Sequence, residues 1–265
     1  MTPRRPTRLL SIAGSDPSGG AGIQADLKTF AAHRGYGMAV VTAVTAQSTT
    51  GVRTVETLDA ALVEHQIRAV LEDIGVDGVK IGMLGSAAVV SCVARCLDAI
   101  PRGVPVVLDP VLAASDATPL LGPGGLERVR EELVARVTVV TPNRAEAAAL
   151  SGIVVTDERT AESAARALHA LGPAVLVTGG DVAGDDVLDL LVDRGEVIPF
   201  RLPRLHSRST HGTGCTLSSA LAVHLARGAG VRDAAARSIA FVRRAMDPGL
   251  DLGHGRAPLD HSVDP

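Results

Sequence analysis

Seven short runs rich in Val, Ile and Leu recur along this chain, at residues 9–13, 38–46, 78–81, 104–108, 137–141, 174–178 and 187–192. They are nearly continuously apolar instead of strictly alternating, the pattern of strands buried on both faces. Between them lie Ala-rich stretches with helical spacing at 22–33, 58–74, 86–100, 124–134, 144–150 and 158–171. Strand and helix alternating at this interval predict an α/β fold, with a parallel sheet and helices on both sides. Residues 212–246 read as two consecutive helices broken at 228–230, and the tail 251–260 reads as loop. With no repeat, low-complexity segment or linker, the reading is one domain over residues 1–265.

Composition narrows the function classes. Hydrophobic residues make up 46% of the 265, enough for a core. Aromatics are 2% with no Trp, which leaves nothing to build a stacking platform for single-stranded nucleic acid. The net charge of −3 carries no basic footprint for nucleic acid or anionic membrane. The only lysines are Lys28 and Lys80. Three scattered cysteines, Cys92, Cys96 and Cys215, form no disulfide framework and fit a reducing compartment. Cys92 and Cys96 read as small buried apolar groups. The basic start MTPRRPTR is followed by an apolar stretch too short for a signal peptide, and no run approaches a membrane span. A cytoplasmic protein is expected, with neither nucleic acid nor membrane as partner.

In open α/β sheets, ligands bind beyond the carboxyl ends of the strands. Two segments there are Gly-rich. Residues 14–19 have GxxxxG spacing, but Gly20 and Ala21 stand where a P-loop needs Lys and Ser/Thr. Residues 20–25 match the looser GxGxxA of dinucleotide folds, yet the second strand ends in Gln47 and no acid lies between Asp26 and Glu56. A tight turn and a backbone approaching a ligand both remain open for this loop. In the second segment, His211-Gly-Thr-Gly-Cys215 opens a helix. Its successive backbone N–H groups suit a bound phosphate or a developing negative charge. A cysteine there is expected to have a lowered pKa and to serve as thiolate or base; the alternative is a plain Gly-rich helix cap.

Six segments together carry a resemblance: AGSDPSGGAGIQADLKTF (13–30), TAVTAQST (42–49), KIGML (80–84), VVLDPVL (106–112), TPNRAEAAAL (141–150) and STHGTGCTLSSAL (209–221), with a tail GHG…P at 253–258. In order over residues 8–260, the chain resembles the hydroxymethylpyrimidine/phosphomethylpyrimidine kinases of thiamine biosynthesis, in the ribokinase superfamily. The resemblance implies a three-layer α/β/α sandwich with a mostly parallel central sheet, ATP and Mg²⁺ as cofactors, and a homodimer. It implies phosphorylation of 4-amino-5-hydroxymethyl-2-methylpyrimidine and then of its monophosphate. It casts Gln47 as the pyrimidine reader, since an amide donates to a ring nitrogen and accepts from an exocyclic amine. It makes Asp26 a substrate-site acid and puts Gly14 and Met83 along the pyrimidine pocket. Asn143 and Glu146 match the superfamily's NxxE, which orders Mg²⁺ and phosphate through water, and Asp109 could join that network. Gly212, Thr213 and Gly214 match the anion hole, and Cys215 stands where sugar kinases place their catalytic Asp.

Two departures remove positive charge. Thr178 stands at a family lysine position at a strand end, and Ser115 at another in the flap after 109–111. Both predict a weak second phosphorylation, with Arg144 the nearest candidate substitute. Two alternatives stay open: a pyridoxine/pyridoxal kinase on the same scaffold, and a catalytically weak pyrimidine-binding protein.

Overall fold

The computed structural model describes residues 5–114, 116–180, 183–247 and 249–265, so Ser115 lies outside the described residues. Nine strands form one sheet in the order β3-β2-β1-β4-β5-β6-β7-β8-β9. The central strands β1 (Arg8–Ser15), β2 (Tyr36–Ser48), β4 (Gly78–Ile81), β5 (Val106–Leu108), β6 (Val139–Val140) and β7 (Ala174–Val177) are all parallel. Every residue of β4, β5, β6 and β7 is buried, as their continuous apolar runs require.

The edges differ from the sequence reading. β3 (Gly51–Thr57) pairs antiparallel with β2, while β8 (Asp186–Asp193) and β9 (Glu196–Pro203) form an antiparallel hairpin beyond β7. β3 and β9 alternate between exposed and half-buried positions, and β9 carries two prolines, tolerated because an edge strand leaves N–H positions unpaired. The tail, read as loop, contributes β11 (Ala257–Pro258), which pairs with β10 (Ser209–His211).

Helices cover both faces. α2 (Ala60–Asp73), α3 (Ala87–Cys96), α5 (Arg144–Ser151) and α6 (Glu158–His169) bury Val63, Ile67, Val89, Val93, Ala147 and Leu168 in one core cluster with the strands. The helix expected at 124–134 is a single α turn, α4 (Gly125–Arg128), that loosens into π and 3₁₀ geometry. On the opposite face lie α1 (Gly22–Ala32), α7 (Thr213–Ala226) and α8 (Val231–Met246). α7 is buried without interruption from Thr216 to Val223, as a helix apolar all round must be. It sits between the sheet and its neighbours α1 and α8, which aims its N-terminus at the carboxyl edge of the sheet. No helix among the described residues is long and apolar enough to cross a membrane.

Candidate active site

Because the six central strands run parallel, the residues at or just beyond their carboxyl ends meet at one sheet edge. There a cavity of about 680 Å³ is lined by Gly14, Asp16, Gln47, Lys80, Met83, Asp109, Asn143, Glu146, Thr178 and Gly212–Cys215. It joins every site residue read from the sequence except Asp26.

At one end the sheet ladders are irregular. The β1–β2 register shifts at Gly14, and the β2–β3 register shifts between Ala46 and Gln47. Such bulges re-aim side chains. Gly14 is packed so closely that a Cβ there would come within 2.9 Å of the Met83 sulfur. The Thr45 hydroxyl donates to Gln47 Oε1 at 3.3 Å and to the Ser15 carbonyl at 3.0 Å. The two contacts share one hydroxyl proton, so at most one Gln47 Oε1 lone pair is engaged, and the other, with the Nε2 donors, is left for a ligand.

The two Gly-rich segments pack on each other. Gly212, at φ +86°, caps α7; a Cβ there would lie 1.9 Å from the Gly20 carbonyl. Only glycine accommodates both that φ and that approach. Asp16 ties the loops: its Oδ2 accepts from the His211 ring at 2.8 Å and from the Ala21 N–H at 2.8 Å, and its Oδ1 from the Ser18 N–H at 2.8 Å. Burial alone would raise the Asp16 pKa; His211 and Ser18 outweigh it and hold the carboxylate at about 2. A carboxylate depressed from 3.8 contributes stability that is complete above pH 4 and lost as pH falls toward 2. The shift corresponds to about 2 kcal/mol. Asp16→Asn should therefore flatten the fall in unfolding free energy between pH 4 and pH 2; a fall as steep as in the unsubstituted chain would contradict the assignment.

Beneath the Gly212–Cys215 turn lies a buried charge cluster that sequence reasoning missed. Lys80 Nζ donates to both Asp26 oxygens at 2.9 Å, and both side chains are fully buried. Asp26 also accepts from Ser11 Oγ at 2.5 Å and Ser219 Oγ at 2.7 Å. Asp26 is thus the counter-ion of Lys80, with its acceptor sites turned inward, and it is not among the residues that line the cavity. Burial opposes the Lys80 charge, but Asp26, Cys215 and Asp109 together hold its pKa above the ordinary value. Burial also pushes up the Asp109 carboxyl, against the pull of Lys80 and the 3.2 Å hydrogen bond from Ser218.

The expected low pKa of Cys215 is corrected. Its thiol is pushed up to about 12, first by burial and then by Asp26 and Asp109; Lys80 and the Gly22 N–H offset only part. The helix N-terminus was legible in the sequence, but the two carboxylates brought beside it by the fold were not.

Asn143 and Glu146 form a capping box on α5: Asn143 Oδ1 accepts from the Glu146 N–H and Glu146 Oε2 from the Asn143 N–H, each at 2.9 Å. No cluster of three or more His, Cys, Asp or Glu side chains fit to hold a metal occurs among the described residues. Glu146 and Asp109 line the cavity without converging into a dedicated cage, which suits Mg²⁺, an ion that keeps several waters and leans on substrate phosphates.

Beyond Thr178 the cavity becomes apolar, with Val187, Phe200, Leu202, Ile239, Val242 and Met246 from β8, β9 and α8. Arg204, Arg243 and Arg256 also line the cavity, whereas Arg144 does not. None of these was singled out as a site residue: β8 and α8 were legible as elements, but nothing local says that their side chains face a ligand, and β9 shows no continuous apolar run.

A sequence profile of the family described as phosphomethylpyrimidine kinase matches residues 16–260. The chain belongs to that family. As a phosphomethylpyrimidine kinase family member it is a phosphotransferase. It is 47% identical over 260 residues to the hydroxymethylpyrimidine/phosphomethylpyrimidine kinase of Streptomyces coelicolor, covering 98% of this chain and 96% of that one. A solved phosphomethylpyrimidine kinase from Clostridium difficile superposes with TM-score 0.79 at 37% identity, covering 90% of this chain and 99% of that one. An ADP complex of Bacillus subtilis pyridoxal kinase superposes with TM-score 0.88 at 34% identity, covering 97% and 98%. The fold of the family, α/β with a mostly parallel sheet, is the one seen here.

Proposed function

We propose that the chain transfers the γ-phosphoryl group of ATP to the hydroxymethyl oxygen of 4-amino-5-hydroxymethyl-2-methylpyrimidine, and then to its monophosphate, in thiamine biosynthesis. The observation that carries this reading is that Gln47 and the Gly212–Cys215 turn line one cavity with an apolar far end. The Gln47 amide reads the aminopyrimidine edge beside Gly14 and Met83. The apolar end takes the adenine, and Thr178 and Asn143 line the same cavity. Backbone N–H groups of Thr213, Gly214 and Cys215, at the N-terminus of a 14-residue helix, stabilise the charge on the transferring group. Phosphoryl transfer asks mainly for such alignment and neutralisation. Cys215 takes the hydroxymethyl proton. Glu146 and Asp109 would hold Mg²⁺ through water, and the ion would supply further charge neutralisation at the phosphates. The reading includes a single domain, a homodimer and a cytoplasmic location.

ADP release on adding the pyrimidine alcohol tests the kinase reading; binding of the alcohol without ADP release would instead support a pyrimidine-binding protein. Gln47→Leu should raise the Kd of the pyrimidine by about 10- to 100-fold, because the aminopyrimidine edge loses its partner, at a cost of roughly 1–3 kcal/mol. An unchanged Kd would remove Gln47 from the site.

A further inference from the structure

Phosphorylating the monophosphate brings two anions together, since a phosphate monoester already carries about −1.5 to −2 charge at neutral pH. Thr178 offers no cation for it. The fold supplies one from the tail. Gly255 N donates to Thr49 Oγ1 at 3.2 Å and Arg256 N to the Thr49 carbonyl at 2.9 Å, just past Gln47 at the end of β2. On the other side, Ala257 N donates to the Arg208 carbonyl at 2.9 Å and Ala257 pairs with Ser209, three residues before Gly212. A Cβ on Gly255 would lie 2.0 Å from the Thr49 carbonyl, so the tail follows this path because the residue before Arg256 is glycine. The Arg256 backbone is therefore anchored between the strand that carries Gln47 and the strand that leads into the anion hole. The residue is exposed and lines the cavity, and no hydrogen bond or ion pair engages its guanidinium among the described residues.

We infer that Arg256 is the phosphate-reading residue for the monophosphate substrate. The inference rests on the kinase reading and deepens it. The substrate's hydroxymethyl group must reach the Gly212–Cys215 turn while its ring meets Gln47, and Arg256 is fixed between the two. A planar guanidinium matches a phosphate with two parallel N–H donors. A neutral alcohol presents nothing for it to pair with, so Arg256 acts on the second substrate selectively. Arg243, the other cavity arginine with no such partner among the described residues, stands on α8 among the residues of the apolar end, Val242 and Met246, and not beside the strand that carries Gln47. Arg256 thus makes good the charge missing at Thr178, and the second step is not weak.

The experiment compares kcat/KM for the monophosphate with kcat/KM for the alcohol in wild type, R256Q and R256K. One charge-assisted hydrogen bond should lower the monophosphate-to-alcohol ratio about 10- to 100-fold in R256Q, chiefly through KM of the monophosphate. R256K should recover part of it by restoring charge without the fork. A ratio in R256Q within about threefold of wild type, whether both activities fall together or neither falls, would overturn the inference. Calorimetric Kd values for the monophosphate and the alcohol give the same ratio without turnover. They keep the test decisive if the wild type phosphorylates neither pyrimidine, the outcome that would defeat the kinase reading itself.

Discussion

Cys215→Ala is expected to lower kcat by roughly 10²–10⁴-fold, the range for loss of a general base, with little change in nucleotide binding. The pH dependence distinguishes this from a packing defect. Because burial, Asp26 and Asp109 push the Cys215 thiol up to about 12, the thiolate is scarce at neutral pH and its fraction rises about tenfold per pH unit. A rate limited by that thiolate climbs with pH from 7 to 9 in the wild type and is flat in Cys215→Ala. What is scarce is also a stronger base, so the raised pKa and the catalytic role are compatible. A loss below tenfold with a flat wild-type profile would leave catalysis to the backbone N–H groups alone.

Lys80→Met is expected to cost about 3–5 kcal/mol of stability, read as a shift of the urea midpoint. Methionine fills the volume but strands the fully buried Asp26 carboxylate. The pair joins α1 to β4, and Ser219 of α7 bonds the same carboxylate, so the defect spreads to three elements around the anion hole. Adding Asp26→Asn should recover part of the loss: one of Ser11 and Ser219 keeps its acceptor, the other hydroxyl can turn to accept from the new NH2, and the unpaired charge disappears. A loss below about 1 kcal/mol in Lys80→Met would show that water or another cation reaches Asp26.

The central strands and most helices were legible because burial on both faces leaves a continuous apolar signature. The edge strands were not: β3 and β9 mix exposed and half-buried positions, so no continuous apolar run marks them. The cavity positions Gly14, Gln47, Met83, Asn143, Glu146 and Gly212–Cys215 follow from motifs at strand ends, where the parallel sheet gathers them. Asp26 also sits in a motif, and motif membership cannot tell a substrate contact from a counter-ion; that depends on Lys80, which lies 54 residues away. The same limit hid the Asp16–His211 tie across 195 residues and raised the Cys215 pKa against local expectation. Arg256 was invisible for another reason. Its role comes from where the tail is anchored, and a loop-like sequence does not announce an anchor.

Substrate choice between two heteroaromatic alcohols is the claim on which the rest stands, because pyridoxal kinases share this fold so closely. The direct measurement places equal concentrations of 4-amino-5-hydroxymethyl-2-methylpyrimidine and pyridoxal in one reaction with ATP and Mg²⁺, and resolves the phosphorylated products by mass at early time. With Gln47 reading the aminopyrimidine edge, the pyrimidine monophosphate should dominate, and Gln47→Leu should erode that preference. Pyridoxal phosphate as the major product of the wild type would contradict the account.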